Sequence, residues 1–465
     1  MHLPRSCRAL SWFAVLGAAL SAGGSGSAYA DTLPEALVRA YQSNPQLNAE
    51  RARLRGTDEN VPQALAGYRP QLAATLSYGL QSVRNLLPSN EVQTATLHPW
   101  TIGLTVNQTL FNGFRTANMV RQAESQVRAG REALRNTGQG VLLDAVTAYA
   151  NVLANQALVE AQRTNVSFLR ETLGTTRKRL DAGDVTPTDV SQAEARQSRG
   201  LADLNAAEVN LAVSQATYAQ VIGVPPGRLA PPMPVHRLLP HDRDEAQAIS
   251  RHEHPAIVAA TYDVDTAQYA VRIAEGTLLP TATLQGSVSR SNQTDTTLST
   301  TRTDQASIVG QLAVPIYDGG LAASQTRQAK EVGAQTRLIL ENVRGQTKTA
   351  VTAAWVTHEG ARIALSAADA EVRAATLALE GIRKEATAGQ RTTLDILNSQ
   401  QDLVSARARL IGAQRDRVVA SYTLLSAIGR LDVKNLQLNT PDYLPDVHYF
   451  QVRDAWHGLR TPAGQ

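Results

Sequence analysis

Two hydrophobic periodicities alternate along this chain. Residues 116–180 contain no proline, and Val159, Gln162, Val166, Leu169, Leu173, Thr176 and Leu180 place small and apolar side chains on one seam in alternating steps of three and four. At ~1.5 Å per residue such a helix would reach roughly 100 Å, longer than a globular core needs. A second proline-free run, residues 321–388, repeats the seam with Ala361, Leu365, Ala368, Val372, Ala375, Leu379, Ile382 and Ala386. Ahead of each run the period drops to two. Leu72, Ala74, Leu76, Tyr78 and Leu80 alternate with small or polar residues, as do Trp100, Ile102, Leu104, Val106 and Leu110. These stretches predict a β-hairpin over 70–111, with residues 84–98 as its polar loop. The same pattern, with Ala282, Leu284, Val288, Ala306, Ile308, Leu312 and Val314, predicts a second hairpin over 280–316.

The elements fall into two matching halves. Phe111-Asn112-Gly113 answers to Tyr317-Asp318-Gly319, Ala182-Gly183 to Ala388-Gly389, Asp189-Val190 to Asp395-Ile396 and Ile222-Gly223 to Ile428-Gly429, each 206 residues later. A first repeat, 31–223, holds short helices, the hairpin and a long helical hairpin over 116–222. Residues 224–241 form a proline-rich linker that cannot be helical. The second repeat, 242–436, carries its own helices, strand pair and helical hairpin over 320–428. The remainder, 437–465, reads as an irregular tail. The fold class is mainly α with a small β part and an internal two-fold structural repeat.

Composition narrows the picture. Aromatic residues make up only 5% of the chain, which suits long helices packed through small side chains better than several compact cores. Residues 1–30 carry Arg5 and Arg8, an apolar stretch and the ending Ala28-Tyr29-Ala30, the pattern of a cleaved signal peptide. Cys7, the single cysteine, lies inside it, too early to be a lipid-acylation site, so the mature chain has no disulfide or thiolate chemistry. A formal charge of +4 without a basic cluster gives no nucleic-acid face. No apolar run after residue 30 is long enough for a membrane helix, but strands of ten residues can cross a bilayer.

Each half supplies two amphipathic strands. Four strands cannot close, and an open edge is not tolerated in lipid, so other chains must complete the barrel. Two copies would give eight strands and a filled interior; three would give twelve and a lumen.

The order of hairpin, long helix, Ala-Gly turn, return helix and proline linker, given twice, resembles the TolC family of outer-membrane channel-tunnels. Gln108-Thr109-Leu110-Phe111-Asn112-Gly113-Phe114, Ala182-Gly183 with Asp189-Val190, and Ala388-Gly389-Gln390-Arg391 with Asp395-Ile396-Leu397 carry the resemblance. It implies a homotrimer with a twelve-stranded transmembrane β-barrel and a long antiparallel α-helical barrel, placed in the outer membrane of a Gram-negative bacterium and reaching into the periplasm. The partners it implies are a periplasmic adaptor (membrane fusion protein), an inner-membrane ABC or RND transporter and outer-membrane lipid. No cofactor is expected. By the same resemblance Ala182, Gly183, Ala388 and Gly389 are adaptor-docking turns, and Thr188, Asp189 and Arg391 form a gate latch. Asp395 and Asn398 line the pore entrance, where the family's archetype has two acidic residues. Ala386 stands where that archetype has a latch tyrosine. The missing lipid-acylation cysteine and the Gln108–Phe114 motif favour type I protein secretion over drug or metal efflux.

Other classes fit less well. His252-Glu253-His254 tempts as a metal site, but positions i and i+2 do not share a helix face. No phosphate loop or nucleophile elbow accompanies it, so an enzyme is not expected. A soluble periplasmic coiled-coil adaptor would carry one helical hairpin rather than two with strand pairs.

Overall fold

The computed structural model describes residues 31–293 and 301–462. The expected signal peptide, 1–30, and positions 294–300 of the second hairpin lie outside the described residues. Helices α1 (Leu33–Ser43), α2 (Pro45–Asp58) and α3 (Asn60–Leu65) lead into strands β1 (Gln71–Tyr78), β2 (Gln81–Leu86), β3 (Val92–Leu97) and β4 (Trp100–Asn112). Then come α4 (Arg115–Asp181) and the return helix α5 (Pro187–Ile222). The second half gives α6 (Arg243–Glu253), α7 (Pro255–Gly276), β5 (Thr281–Gln293), β6 (Thr301–Ala313), α8 (Leu321–Thr387) and α9 (Thr393–Ala427). Both long helices run 67 residues, within two residues of the sequence expectation at either end.

Each long helix starts from an equivalent anchor. In the first half Asn112 Nδ2 donates to Thr116 Oγ1 at 2.6 Å, and Gly113 and Phe114 take positive φ to turn strand into helix. In the second, Asp318 accepts from the Gly320 and Ala322 amides at 3.0 and 2.7 Å. The two positions lie 206 apart. Along the first seam Val159, Val166, Leu169, Leu173 and Thr176 are buried, and along the second Ala361, Ala368 and Leu379 are buried while Leu365, Val372, Ala375, Ile382 and Ala386 are half-buried.

The structure corrects the expectation twice, first in the strands. Residues 84–98 are not simply a loop, because β2 and β3 pair with each other as a separate ribbon beyond β1 and β4. The break falls at Gly79 and Pro99, where the Gly79 amide donates to the Pro99 carbonyl and proline cannot continue the ladder. β1, β4, β5 and β6 form one antiparallel sheet in that order. Its register puts Leu72 opposite Val106, Leu76 opposite Ile102 and Leu104 opposite Val288, so the apolar positions share one face. A bulge at Leu110 shifts the register between Thr109 and Phe111.

The tail is the second correction. It contains helix α10 (Pro445–Val452), with Pro445 at its first turn, folded back onto α2 and α4. His448 Nδ1 lies 2.8 Å from the buried Asp58 carboxylate, and Arg131 reaches Asp446 at 2.6 Å while lying over the Tyr449 ring. A charge pair and an aromatic anchor hold a segment whose apolar pattern is too short to announce a helix.

The main core lies midway along the helices. Leu37, Leu47, Leu142, Tyr149, Tyr218, Ile222, Leu424, Leu425 and Ile428 are fully buried there. Tyr149 Oη donates to the Ala230 carbonyl at 2.6 Å, tying the proline-rich linker to α4. The chain as a whole is an open arc. α4 packs against α2, α5, α7 and α9, whereas α8 packs against α6, α7 and α9. One side of α8, with Val332, Leu338, Val356, Ile363 and Leu377, stays exposed. So do Leu201, Val209 and Val213 on α5 at the other end of the arc. The sheet ends the same way, on β1 at one side and β6 at the other.

Candidate gate and docking turns at the helical tip

The two helical hairpins turn back at the end farthest from the strands. Each turn is the same six-residue device. The Asp184 amide donates to the Arg179 carbonyl at 2.8 Å and the Gly183 amide to Leu180 at 2.9 Å; Gln390 and Gly389 do the same to Glu385 and Ala386 at 2.9 and 3.1 Å. This Schellman pairing needs a left-handed residue after the cap, met by Gly183 at φ +82° and Gly389 at φ +75°. No atom lies within 4 Å of where a Cβ would stand on either glycine, so both backbones are open to an approaching partner. Ala182 and Ala388 are the adjoining cap residues, small and exposed.

Past each turn a carboxylate starts the return helix. Asp189 Oδ2 accepts from the Thr186 amide and hydroxyl, both at 2.8 Å, while its own amide donates back to Thr186 Oγ1. Asp395 and Thr392 repeat the arrangement at 2.9 Å. These are reciprocal capping boxes. The donated hydrogen bonds hold both carboxyls below the usual carboxylate range. Because the folded state lowers these values, the caps contribute fully above the ordinary value near 4 and are lost only as pH falls through the lower folded-state value. Protection of the Thr186 and Thr392 amides, which donate to the two carboxylates, from hydrogen exchange, corrected for intrinsic rates, is therefore expected to stay constant from pH 7 to 5 and to fall towards pH 3. Loss of protection already at pH 6 would contradict this.

Within one chain the expected latch residues are not brought together. Arg391 Nε donates to Glu385 Oε2 at 2.8 Å, inside its own turn, and Asp189 is occupied by Thr186. Thr188 lies exposed beside Asp189 on the first turn of α5. Glu385 raises the Arg391 guanidinium further above its already high value. Asn398, one of the two expected entrance residues, is instead a cross-hairpin acceptor: Arg196 Nη2 of α5 donates to its Oδ1 at 2.7 Å. Deeper in, Gln400 Nε2 donates to Asn165 Oδ1 at 3.2 Å, joining α9 to α4 with both side chains buried. Below them Leu169, Leu173, Ala193 and Leu397 form an apolar plug against Phe168 and Val190.

Arg196, Asn165 and Gln400 were not singled out in the sequence. Neither hydrogen bond joins repeat-equivalent positions, so the 206-residue offset gives no signal for them. His252-Glu253-His254 is the end of α6 rather than a solvated turn: only His252 is exposed, His254 is half-buried and its Nδ1 accepts from the Ala256 amide at 3.2 Å, and Glu253 pairs with Arg430 at 2.7 Å. No group of three or more metal-ligating side chains occurs among the described residues.

Comparison with known proteins gives a consistent result. The profile of the outer membrane efflux protein family matches residues 36–224 and 248–430, which are the two repeats. The chain is 42% identical over 463 residues to "Outer membrane efflux protein BepC" of Brucella suis, covering 99% of both chains. It is 25% identical over 346 residues to "Alkaline protease secretion protein AprF" of Pseudomonas aeruginosa, covering 73% of this chain and 72% of that one. The solved CmeC outer membrane channel of Campylobacter jejuni superposes with a TM-score of 0.77 at 14% identity, over 91% of this chain and 89% of that one, a likeness of fold.

Proposed function

Since the chain belongs to the outer membrane efflux protein family, the TolC-type channels of the outer membrane that extend into the periplasm, we propose that it is a homotrimeric exit duct fed by an inner-membrane transporter through a periplasmic adaptor. The observation that carries the trimer is the shared open arc. The sheet ends on unpaired β1 and β6, and the helical layer ends on the exposed apolar stripes of α5 and α8. Three arcs of four strands make a twelve-stranded barrel wide enough for a lumen. The same operation sets α8 of one copy against α5 of the next. The open turns at Ala182-Gly183 and Ala388-Gly389 serve as adaptor docking sites. Thr188, Asp189 and Arg391 latch the entrance between copies, and Asp395 and Asn398 line it.

For cargo, the 42% relative is named an efflux protein, and this favours small-molecule efflux through an ABC or RND pump. Type I protein secretion is the second reading. It is supported by the AprF likeness and by the Gln108–Phe114 motif. Protein extracted from outer membranes is expected to have the mass of a trimer and to give discrete ion-conducting steps in a planar bilayer. Monomeric, non-conducting material would overturn the duct. In a host lacking its own duct, restored resistance to dyes and detergents supports efflux, whereas restored protease export without resistance supports secretion.

A further inference from the structure

The four-stranded sheet contains only three charged residues, Arg290, Arg302 and Asp304, and all three meet at one spot. Arg290 lies directly opposite Asp304, and Arg290 Nε donates to Asp304 Oδ1 at 2.6 Å. Arg302 Nη2 donates to Asp304 Oδ2 at 2.6 Å. Among the described residues two guanidinium groups share one carboxylate, which gives the cluster a net positive charge and N–H donors beyond those that Asp304 engages. All three side chains are about half exposed.

The spot lies on the apolar face of the sheet, at the end away from the helices. Its row includes Ile102, and the next row outward holds Tyr78, Trp100, Asn292 and Arg302. Tyr78 and Trp100 mark one aromatic level. Phe111 and Phe114, in edge contact at 5.1 Å, mark the other at the helical end. Some ten residues of strand separate the levels, about 25 Å along the barrel axis at ordinary rise and tilt, which is the height of a lipid-facing apolar band. The arginines therefore stand at the outer headgroup level. Below them the same face is grooved. A cleft of 720 Å³ lined by Ala74, Ile102, Leu104, Val288 and Ala306 begins at Arg290 and Asp304. It continues into a second, of 420 Å³, along Val106, Gly286 and Ile308. Small residues at Ala74, Gly286 and Ala306 leave the room that larger neighbours wall.

We propose that this is a binding site for a phosphate-bearing lipid of the surrounding membrane, its phosphate held by Arg290 and Arg302 and one acyl chain lying in the groove between β4 and β6. Arginine's planar fork suits phosphate oxygens, and a charged pair costs little at headgroup depth. Asp304 pre-orients both guanidinium groups and offsets part of their charge, so it moderates the affinity. The proposal rests on the barrel reading, because the grooved face must meet lipid.

The test is native mass spectrometry of the detergent-purified full-length trimer titrated with dioleoyl phosphatidic acid. Phosphatidylcholine serves as the zwitterionic control and inorganic phosphate as competitor. Bilayer conductance of each preparation checks folding and the barrel reading separately. Phosphatidic acid is expected to be retained in preference to phosphatidylcholine. Arg290→Gln with Arg302→Gln should weaken its retention about ten-fold, Ala306→Leu should weaken it with both arginines intact, and Asp304→Asn should strengthen it. Unchanged retention in the double variant, with conductance intact, would overturn the site. Efficient displacement by inorganic phosphate alone, with Ala306→Leu behaving as wild type, would overturn the acyl groove and leave a plain anion contact. Absence of conductance in every preparation would instead fault the barrel reading.

Discussion

Gly113→Ala is expected to lower the thermal midpoint of the assembled protein well beyond what a surface substitution does. At φ +66° a side chain costs ~1–2 kcal/mol, and a Cβ there would stand 2.2 Å from the Gly276 carbonyl oxygen, so backbone must move as well. Forced backbone shifts of this kind cost ~1–3 kcal/mol, making about 3 kcal/mol in all. The internal repeat provides the control. Gly319 occupies the equivalent position at φ +73°, yet nothing lies within 4 Å of its Cβ position. Gly319→Ala should therefore show only the dihedral cost. Gly276→Ala, whose Cβ would meet the Gly113 oxygen and Arg115 Cγ at 2.6 Å, should resemble Gly113→Ala. Equal midpoints for the Gly113 and Gly319 variants would show that the contact between the β4–α4 junction and the end of α7 relaxes without cost.

That contrast also shows how far the sequence could be read. The periods of 3.5 and 2, the Gly turns and the 206-residue offset are local signals, and they placed the long helices, the apolar strand face and the capped turns. What the repeat could not show is where its halves differ. Gly113 is crowded and Gly319 is open because only the first faces the end of α7. β2 and β3 pair beyond Gly79 and Pro99 through a register that depends on β1 and β4 being in place. Helix α10 owes its place to His448, Asp446 and Tyr449 meeting partners on α2 and α4 nearly 400 or some 320 residues away in sequence. At the tip, capping chemistry was legible at Gly183 and Gly389. The Asp189 and Asp395 carboxylates, by contrast, read as latch and entrance groups from family likeness, are each engaged first by a threonine three residues back.

This double engagement decides how the entrance should respond to mutation. Opening the tip requires the two helical hairpins to separate, and within a chain the side-chain hydrogen bonds that tie them there, among the described residues, are Arg196–Asn398, exposed, and Gln400–Asn165, buried, beside the Arg383 guanidinium stacked over the Phe168 ring. A hydrogen bond contributes ~0.5–1.5 kcal/mol net, so removing both weakens closure by roughly 2 kcal/mol, on the order of a thirty-fold shift towards the open form. Arg196→Ala with Gln400→Ala is therefore expected to raise single-channel conductance in a planar bilayer and to lengthen open events. Arg391→Ala, which leaves both capping boxes intact, should do the same if Arg391 crosses to Asp189 of a neighbouring copy. It should do nothing if Glu385 is its only partner. Asp189→Ala removes a cap as well as a latch group, so its effect is read only against Thr186→Ala, which removes the same cap. Unchanged conductance in the Arg196 and Gln400 pair would mean that the apolar cluster of Leu169, Leu173, Ala193 and Leu397, with Arg383 over the Phe168 ring, is enough to hold the hairpins together. Leu173→Ala would then become the variant that opens the duct.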